Sequence, residues 1–278
     1  MGFGTLYIVA TPLGNLEDVT FRALRALREV PLIACEDKRR TVKLLNRYEI
    51  RTPMIAFHDH NKLEAGEGLL RRLRDGRSVA LVSDAGTPGI SDPGYELVRD
   101  AVAEGIPVEV VPGPSALISA LVVSGLPTDR FVFEGFLPNR SERRRKTLAA
   151  LSCETRTLVF YESPQRIAAF LADASEIFGN RRGCVVRELT KVHEEILRGT
   201  LTELLDEISG RESVLGEITV VVEGAPKTVV FSVEDAVLEA LQEAPESMSS
   251  RDLAREVSGR TGLSKKEVYA EILRRRAE

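Results

Sequence analysis

Three stretches of this chain combine glycine, proline and small hydroxyl residues directly after apolar runs. They are Thr11-Pro12-Leu13-Gly14-Asn15, Ser83-Asp84-Ala85-Gly86-Thr87-Pro88-Gly89-Ile90-Ser91-Asp92-Pro93-Gly94 and Pro112-Gly113-Pro114-Ser115-Ala116. Glycine lets a backbone approach a ligand closely, and proline fixes a loop while removing a donor. A helix beginning at Ser115 offers free N–H groups to a carboxylate or phosphate. Any one of these loops is equally well explained as a turn. Three on one sheet edge point to a binding site. No G-x-x-x-x-G-K-S/T phosphate loop occurs, and no G-x-G-x-x-G follows the first apolar run, which disfavours the common ATPase and dinucleotide sites. A ligand carrying one carboxylate, a ribose and a purine fits what remains.

Metal chemistry finds little support. His58 and His60 are two apart, which on a helix would point them to different faces, and His193 is remote. Cys35, Cys153 and Cys184 form no C-x-x-C pair, so they read as buried free thiols and not as a disulfide framework or zinc site.

The loops need a scaffold that brings them together. Apolar runs at 6–10, 32–34, 79–82 and 108–111 alternate with helical patterns near 19–29, 41–48, 63–75 and 95–104. Runs apolar on both faces, separated by helices, predict a parallel sheet covered on both sides. Such sheets bind ligands at the carboxyl ends of their strands. A second set follows Pro127, with strands expected at 131–133, 157–161, 184–187 and 218–222 and helices near 143–151, 164–178 and 201–208. Asp92-Pro93 and Ser163-Pro164 read as N-caps before a proline at the first helical position, and Thr200-x-x-Glu203 as a capping box. After Gly224-Ala225-Pro226, three more capping boxes stand at Ser232-x-x-Asp235, Ser249-x-x-Asp252 and Ser264-x-x-Glu267. The last two helices, joined by Ser258-Gly259-Arg260-Thr261-Gly262, suggest a helix-turn-helix. The expected class is α/β, with an N-terminal α/β domain over 1–124, a second over 125–226 and a small helical appendage over 227–278.

The 278 residues, 43% hydrophobic and 29% charged, have the balance of an ordinary globular protein. No apolar run reaches the ~18–20 residues needed to span a membrane. The first residues lead straight into a strand without a basic stretch or cleavage site, so a cytoplasmic protein is expected. A net charge of -4 argues against a broadly basic nucleic-acid binder. Local patches exist nonetheless. Arg140, Arg143, Arg144, Arg145 and Lys146 form the densest, with smaller ones at 71–77 and 274–276.

Residues 6–20, the 83–94 loop, Val111-Pro112-Gly113-Pro114-Ser115-Ala116, Gly135-Phe136-Leu137-Pro138, Tyr161-Glu162-Ser163-Pro164 and Arg187-Glu188-Leu189-Thr190-Lys191 stand in a distinctive order and spacing. In these motifs the chain resembles the ribosomal RNA small subunit methyltransferase I family, of the tetrapyrrole methylase-like superfamily, over nearly its whole length. The resemblance implies two α/β domains of the tetrapyrrole methylase type, with S-adenosylmethionine folded in the cleft between them, and a homodimer. It implies methyl transfer to the ribose 2′-hydroxyl of a cytidine in the decoding region of 16S rRNA, free or in the 30S subunit. By the same resemblance Leu13, Asp84, Thr87, Ser115 and Ala116 would contact the cofactor from the first domain, and Tyr161 from the second. One motif departs. The usual Glu-Asp-Thr-Arg after the second strand reads Glu36-Asp37-Lys38-Arg39 here, so the threonine's role passes to Lys38 or is dispensable.

Methyl transfer from a sulfonium to a hydroxyl is an in-line displacement that needs no metal. It depends on placement, and a base or a charge that stabilises the developing alkoxide assists it. Candidates are Glu36, beside Asp37 after the second strand; His58, just beyond a strand at 54–57; and Lys191. His58 is the natural base on pKa grounds, although a histidine there equally hydrogen-bonds a neighbouring loop. Lys191 would stabilise an alkoxide or grip a phosphate. The residues leave these alternatives open. RNA would be held by its backbone and by unstacked bases, and the 140–146 cluster, close behind a ligand motif, is expected to contact it. Two rival readings are a corrin or porphyrin methyltransferase of the same superfamily and a non-catalytic RNA-binding assembly factor.

Overall fold

Successive side chains of the short apolar runs feed two different helical layers. The computed structural model describes residues 2–226, 233–245, 248–261 and 263–277. Strand β1 (Leu6–Val9) is followed by α1 (Phe21–Glu29), β2 (Ile33–Cys35), α2 (Lys38–Arg47) and β3 (Met54–Ala56). Then come α3 (Lys62–Arg74), β4 (Val79–Val82), α4 (Tyr95–Ala103) and β5 (Val108–Val111). The five strands are parallel, in the order β3-β2-β4-β1-β5. All four residues of β4 are buried. Ala80 and Val82 enter the core shared with α1 and α2, while Val79 and Leu81 enter that shared with α3 and α4. That is the two-residue period of a strand covered on both faces. The α/β class expected from the sequence is observed.

Helix α5 (Ala116–Ser124) is followed by β6 (Phe131–Phe136), α6 (Ser141–Ala150), β7 (Thr157–Glu162), α7 (Ile167–Phe178), β8 (Arg182–Arg187), β9 (Glu195–Thr200), α8 (Leu201–Ser209) and β10 (Ile218–Val222). These strands form a mixed sheet, β6-β7-β10-β8-β9, in which only β6 and β7 pair in parallel. Strand β9 was not expected. It lies at the sheet edge with no residue fully buried, so its sequence needs no apolar run. Helices α6, α7 and α8 cover one face around Phe160, Phe170 and Val220. The other face is covered by α5, whose Ala120 and Leu121 pack on Val159, Cys184, Val186 and Val221. A helix that follows the last strand of the first sheet thus closes the core of the second.

Two helix starts differ from expectation. Helix α4 begins at Tyr95 after Gly94, so Asp92 and Pro93 belong to the preceding loop. Helix α7 begins at Ile167, because a turn closed by Ile167 N–H on the Ser163 carbonyl at 3.1 Å comes first. In both places the proline shapes a turn that delays the helix. The Thr200–Glu203 capping box forms as read. Cys35 and Cys184 are buried, but Cys153 lies exposed after α6.

The basic cluster is also not the surface patch it was expected to be. Arg144 is 4% exposed, and its guanidinium meets Asp173 of α7 at 2.6 Å. Arg145 pairs with Asp173 at 3.1 Å and with Glu176. The helical period turns these two arginines inward as a clasp between α6 and α7, leaving Arg140, Arg143 and Lys146 exposed.

The chain divides into two units, Met1–Ala225 and Pro226–Glu278. The second consists of α9 (Val233–Glu243), α10 (Ser250–Thr261) and α11 (Lys265–Ala277) around Ala236, Leu253, Val268 and Ile272. Asp252 N–H donates to the Ser249 hydroxyl at 3.2 Å, as its capping box requires. Ser258 and Gly259, expected in a connecting loop, are instead part of α10. Ser232 and Gly262 lie outside the described residues. No helix of the described residues is long and apolar enough to cross a membrane.

Removing Arg144 takes the closest cation from the buried Asp173 carboxylate and leaves it Arg145 at 3.1 Å. Arg144→Ala is expected to lower the unfolding free energy by about 1–3 kcal/mol in a denaturant titration. A loss below about 1 kcal/mol would show that the clasp is not structural.

Candidate functional site

Parallel strands deliver their following loops to one sheet edge, and short contacts fasten those loops to each other. Thr11 N–H donates to the Gly86 carbonyl at 2.8 Å, and Gly86 N–H returns the bond at 3.0 Å. Gly86 has φ +77°, a conformation glycine tolerates, and the Thr11 hydroxyl adds a bond to the Ser83 carbonyl at 3.1 Å. The loops after β1 and β4 therefore act as one piece. The loop after β5 ends at Ser115, whose hydroxyl accepts the Ile118 N–H and caps α5.

These loops form one wall of a cleft of about 360 Å³ within the larger unit, a size suited to a small ligand. From the first sheet, Leu13, Glu36, Arg40, Asp84, Thr87 and Asp92 line it. From the second, Phe136, Tyr161, Leu189, Gly216 and Glu217 do so. The Tyr161 ring is held edge-on by Phe133 at 4.9 Å between centroids. Contacts also cross between the walls. Asn15 N–H donates to the Thr190 hydroxyl at 3.1 Å, and Arg40 meets Glu217 at 3.5 Å. A side chain at Gly14 would collide with the Lys191 methylenes, so a Cβ there would force the lysine to move.

Backbone strain concentrates here. Ser91, Glu188 and Thr190 have φ of 61°, 52° and 66°, and all three sit on loops around the cleft. Non-glycine residues adopt such angles only when their surroundings enforce them.

The charge in the cleft is predominantly negative, and burial raises the proton affinity of its carboxylates. Burial, reinforced by the nearby charge of Glu36, pushes Asp92 up to about 7, with the Ser83 hydroxyl opposing. Glu36 is itself raised, by burial and then by Asp84. Burial also raises Asp84, against the Asp37 N–H that donates to it at 3.0 Å and the Arg40 guanidinium at 3.4 Å. Burial would lower Lys191, but bonds to Glu188 at 2.7 Å and Glu217 at 3.2 Å outweigh it, and the lysine is held protonated.

Leu13, Asp84, Thr87, Ser115, Ala116 and Tyr161 all line this one cleft. Of the three expected catalytic residues, Glu36 does so. His58 and Lys191 are not among the lining residues. His58 follows β3, with its Nδ1 buried and lacking a hydrogen-bond partner, and Lys191 is engaged by its two glutamates. Arg144 and Arg145 serve the α6–α7 clasp. Sequence reasoning missed Asp92, Arg40 and Glu217. The Asp92-Pro93 pair carried a signal, but one that reads more simply as a helix start.

The chain matches the model of the family described as Tetrapyrrole (Corrin/Porphyrin) Methylases over residues 5–205. It is 46% identical to Ribosomal RNA small subunit methyltransferase I of Pseudomonas aeruginosa, covering 100% of both chains. It is 51% identical to the protein of that name from Thermotoga maritima, over 80% of this chain and 99% of the other. Its fold resembles that of uroporphyrin-III C-methyltransferase from Thermus thermophilus complexed with S-adenyl homocysteine, with a TM-score of 0.55 at 22% identity. That match covers 78% of this chain and 97% of the other.

Asp84 is the acceptor on which the start of α2 depends. Asp84→Ala strips the Asp37 N–H of its partner and leaves Arg40 only Glu217 at 3.5 Å. It is expected to lower stability by about 1–3 kcal/mol in thermal or denaturant unfolding. An unchanged unfolding curve would show that the bond is dispensable.

Proposed function

The chain belongs to the tetrapyrrole (corrin/porphyrin) methylase family and, within it, to the ribosomal RNA small subunit methyltransferase I family; from that premise we propose that it methylates the ribose 2′-hydroxyl of a cytidine in the decoding region of 16S rRNA. It is a methyltransferase, its donor is S-adenosylmethionine and its acceptor is ribosomal RNA. The nucleotide and the atom are the finer part of the reading.

The likeness to Ribosomal RNA small subunit methyltransferase I of Pseudomonas aeruginosa carries the proposal, and the character of the cleft supports its donor. S-adenosylmethionine bears a positive sulfonium and a positive ammonium, and Glu36, Asp84, Asp92 and Glu217 outnumber Arg40 along the lining. Leu13, Ile90, Ala116 and Leu189 offer apolar surface to a purine. The capped start of α5 directs N–H groups where a carboxylate is favoured. The group fits. Leu13, Asp84, Thr87, Ser115, Ala116 and Tyr161 are the residues proposed to hold it.

When bound, S-adenosylmethionine supplies an electrophilic methyl group on a sulfonium, open to in-line displacement by oxygen. The protein must hold the ribose hydroxyl in line and accept its proton. Asp92 is the proposed acceptor, because a carboxylate held near neutrality is both ionised and basic at working pH. The proton passes from the 2′-oxygen to a carboxylate oxygen of Asp92 and then to water. Glu36, beside it, keeps Asp92 basic. Lys191, already paired with two glutamates, braces the opposite wall.

Radiolabelled S-adenosylmethionine, offered in parallel with 30S subunits, free 16S rRNA and a tetrapyrrole, is expected to label RNA as alkali-resistant 2′-O-methylcytidine. Label in the tetrapyrrole alone, or in none of the three, would overturn the reading. Asp92→Asn is expected to cut kcat by about 10²–10⁴-fold while S-adenosylhomocysteine affinity is retained. Below about 7 the Asp92 carboxyl holds its own proton and cannot take another, so the wild-type rate rises with pH through that value. The variant should lose this rise. A wild-type profile flat between pH 6 and 8 would exclude Asp92 as the acceptor.

A further inference from the structure

The cleft poses an electrostatic problem for its proposed acceptor. Its acidic lining suits a cationic donor but repels the phosphates of an RNA chain, and the chain as a whole carries a net charge of -4. Affinity for RNA comes largely from lysine and arginine at the backbone. A compensating surface must lie near the cleft mouth yet outside it. The 140–146 cluster is weakened for this role, since Arg144 and Arg145 are consumed by Asp173 and Glu176.

We propose that the outer face of α2, flanked by α1, is the surface on which the RNA backbone docks. The proposal rests on the ribosomal RNA reading above. Helix α2 carries Lys38, Arg39, Arg40, Lys43 and Arg47 and contains no acidic residue. Thr41, Leu44 and Leu45 are buried against the sheet, so the four-residue spacing of Arg39, Lys43 and Arg47 sets them in one exposed stripe. Four residues advance about 6 Å along a helix, giving a ladder of cations that an extended polyanion can follow. The ladder starts at the site. Arg40 lines the cleft, and Asp37, which caps α2, donates its N–H to Asp84.

Helix stability does not account for this arrangement. Lys38, Arg39 and Arg40 occupy the first turn, where cations oppose the helix dipole. Nor are the outer cations neutralised within the protein, although the Arg47 guanidinium lies over the Tyr48 ring at 5.7 Å. Among the described residues Lys38, Lys43 and Arg47 have no ion pair, and Arg39, 90% exposed, pairs only with its neighbour Asp37. In the opposite layer of the same sheet Arg71 and Arg72 are also exposed without an ion pair among the described residues, but the other cations there are paired. There Arg74 is neutralised by Glu67 and Glu104, Lys62 by Glu96 and Arg99 by Asp100. Helix α1 extends the basic layer with exposed Arg25 and Arg28, and Arg28 donates to the Tyr48 carbonyl at the end of α2 at 3.0 Å.

The test compares full-length wild type with Lys43→Glu/Arg47→Glu and the gentler Lys43→Gln/Arg47→Gln. A control, Arg71→Glu/Arg72→Glu, alters exposed cations on α3. Binding to protein-free 16S rRNA is measured across a salt series, with S-adenosylhomocysteine binding as the check on folding. The glutamine pair is expected to lose about 1.4 from the slope of log affinity against log salt, at about 0.7 per cation on single-stranded RNA. The glutamate pair should weaken RNA binding roughly tenfold or more, with cofactor binding intact and the α3 control unaffected. If the glutamate pair fails to bind cofactor, the glutamine pair decides. An unchanged slope in the glutamine pair, an equal loss in the control, or weakened binding to 30S subunits alone would overturn this surface. The last outcome would point to a ribosomal protein as the docking partner. Failure of the wild type to methylate any RNA would instead overturn the functional reading, a result that the label assay registers separately.

Discussion

Ala120 and Leu121 of α5 pack against Val159, Cys184, Val186 and Val221 of the second sheet, yet the loop that feeds α5 is the carboxyl end of β5 in the first. One helix is therefore both the closing element of one sheet's ligand edge and the cover of the other sheet. Its capped amino terminus faces the cleft, and the rest is sunk in a core that cannot shift without opening cavities. The two walls are set at a fixed spacing by that packing. The smaller contacts, Asn15 with Thr190 and Arg40 with Glu217, have only to trim it.

Within that frame the protein separates its charges. Carboxylates converge inside the cleft, where burial and mutual repulsion raise their proton affinity, Asp92 most of all. Most of the cations of α2 and α1 lie outside, where water screens their repulsion, and Lys38, Lys43 and Arg47 have no ion pair among the described residues. The arrangement suits two partners of opposite charge, a cationic donor within and a polyanionic acceptor at the mouth. It also explains how an acidic protein can serve an RNA, because the sign that matters is that of the surface nearest the phosphates.

The strained residues fit the same logic. Ser91, Glu188 and Thr190 hold left-handed angles on the loops that face each other across the cleft. Glu188 reaches over Gly216, where any side chain would collide with it, and its carboxylate takes the Lys191 ammonium. Removal of a Cβ at Gly14 and at Gly216 lets the Lys191–Glu188 pair lie flat against both neighbours.

Local chemistry was enough to determine much of this protein. Buried runs such as Val79-Ala80-Leu81-Val82, alternating with helices, specify a parallel sheet, because their side chains are apolar on both faces. The Gly/Pro loops after β1, β4 and β5 mark its ligand edge, because strand direction alone dictates where such loops emerge. Strand β9 escaped notice because an edge strand needs no apolar run. What sequence could not supply is the environment of a charge. Asp92 reads as a helix cap until the fold buries it beside Glu36 and Ser83, and Arg144 reads as a surface cation until α7 places Asp173 over it. Secondary structure follows from periodicity along the chain. A group's protonation and its availability follow from what comes to lie against it from elsewhere in the chain, and only the tertiary structure decides that.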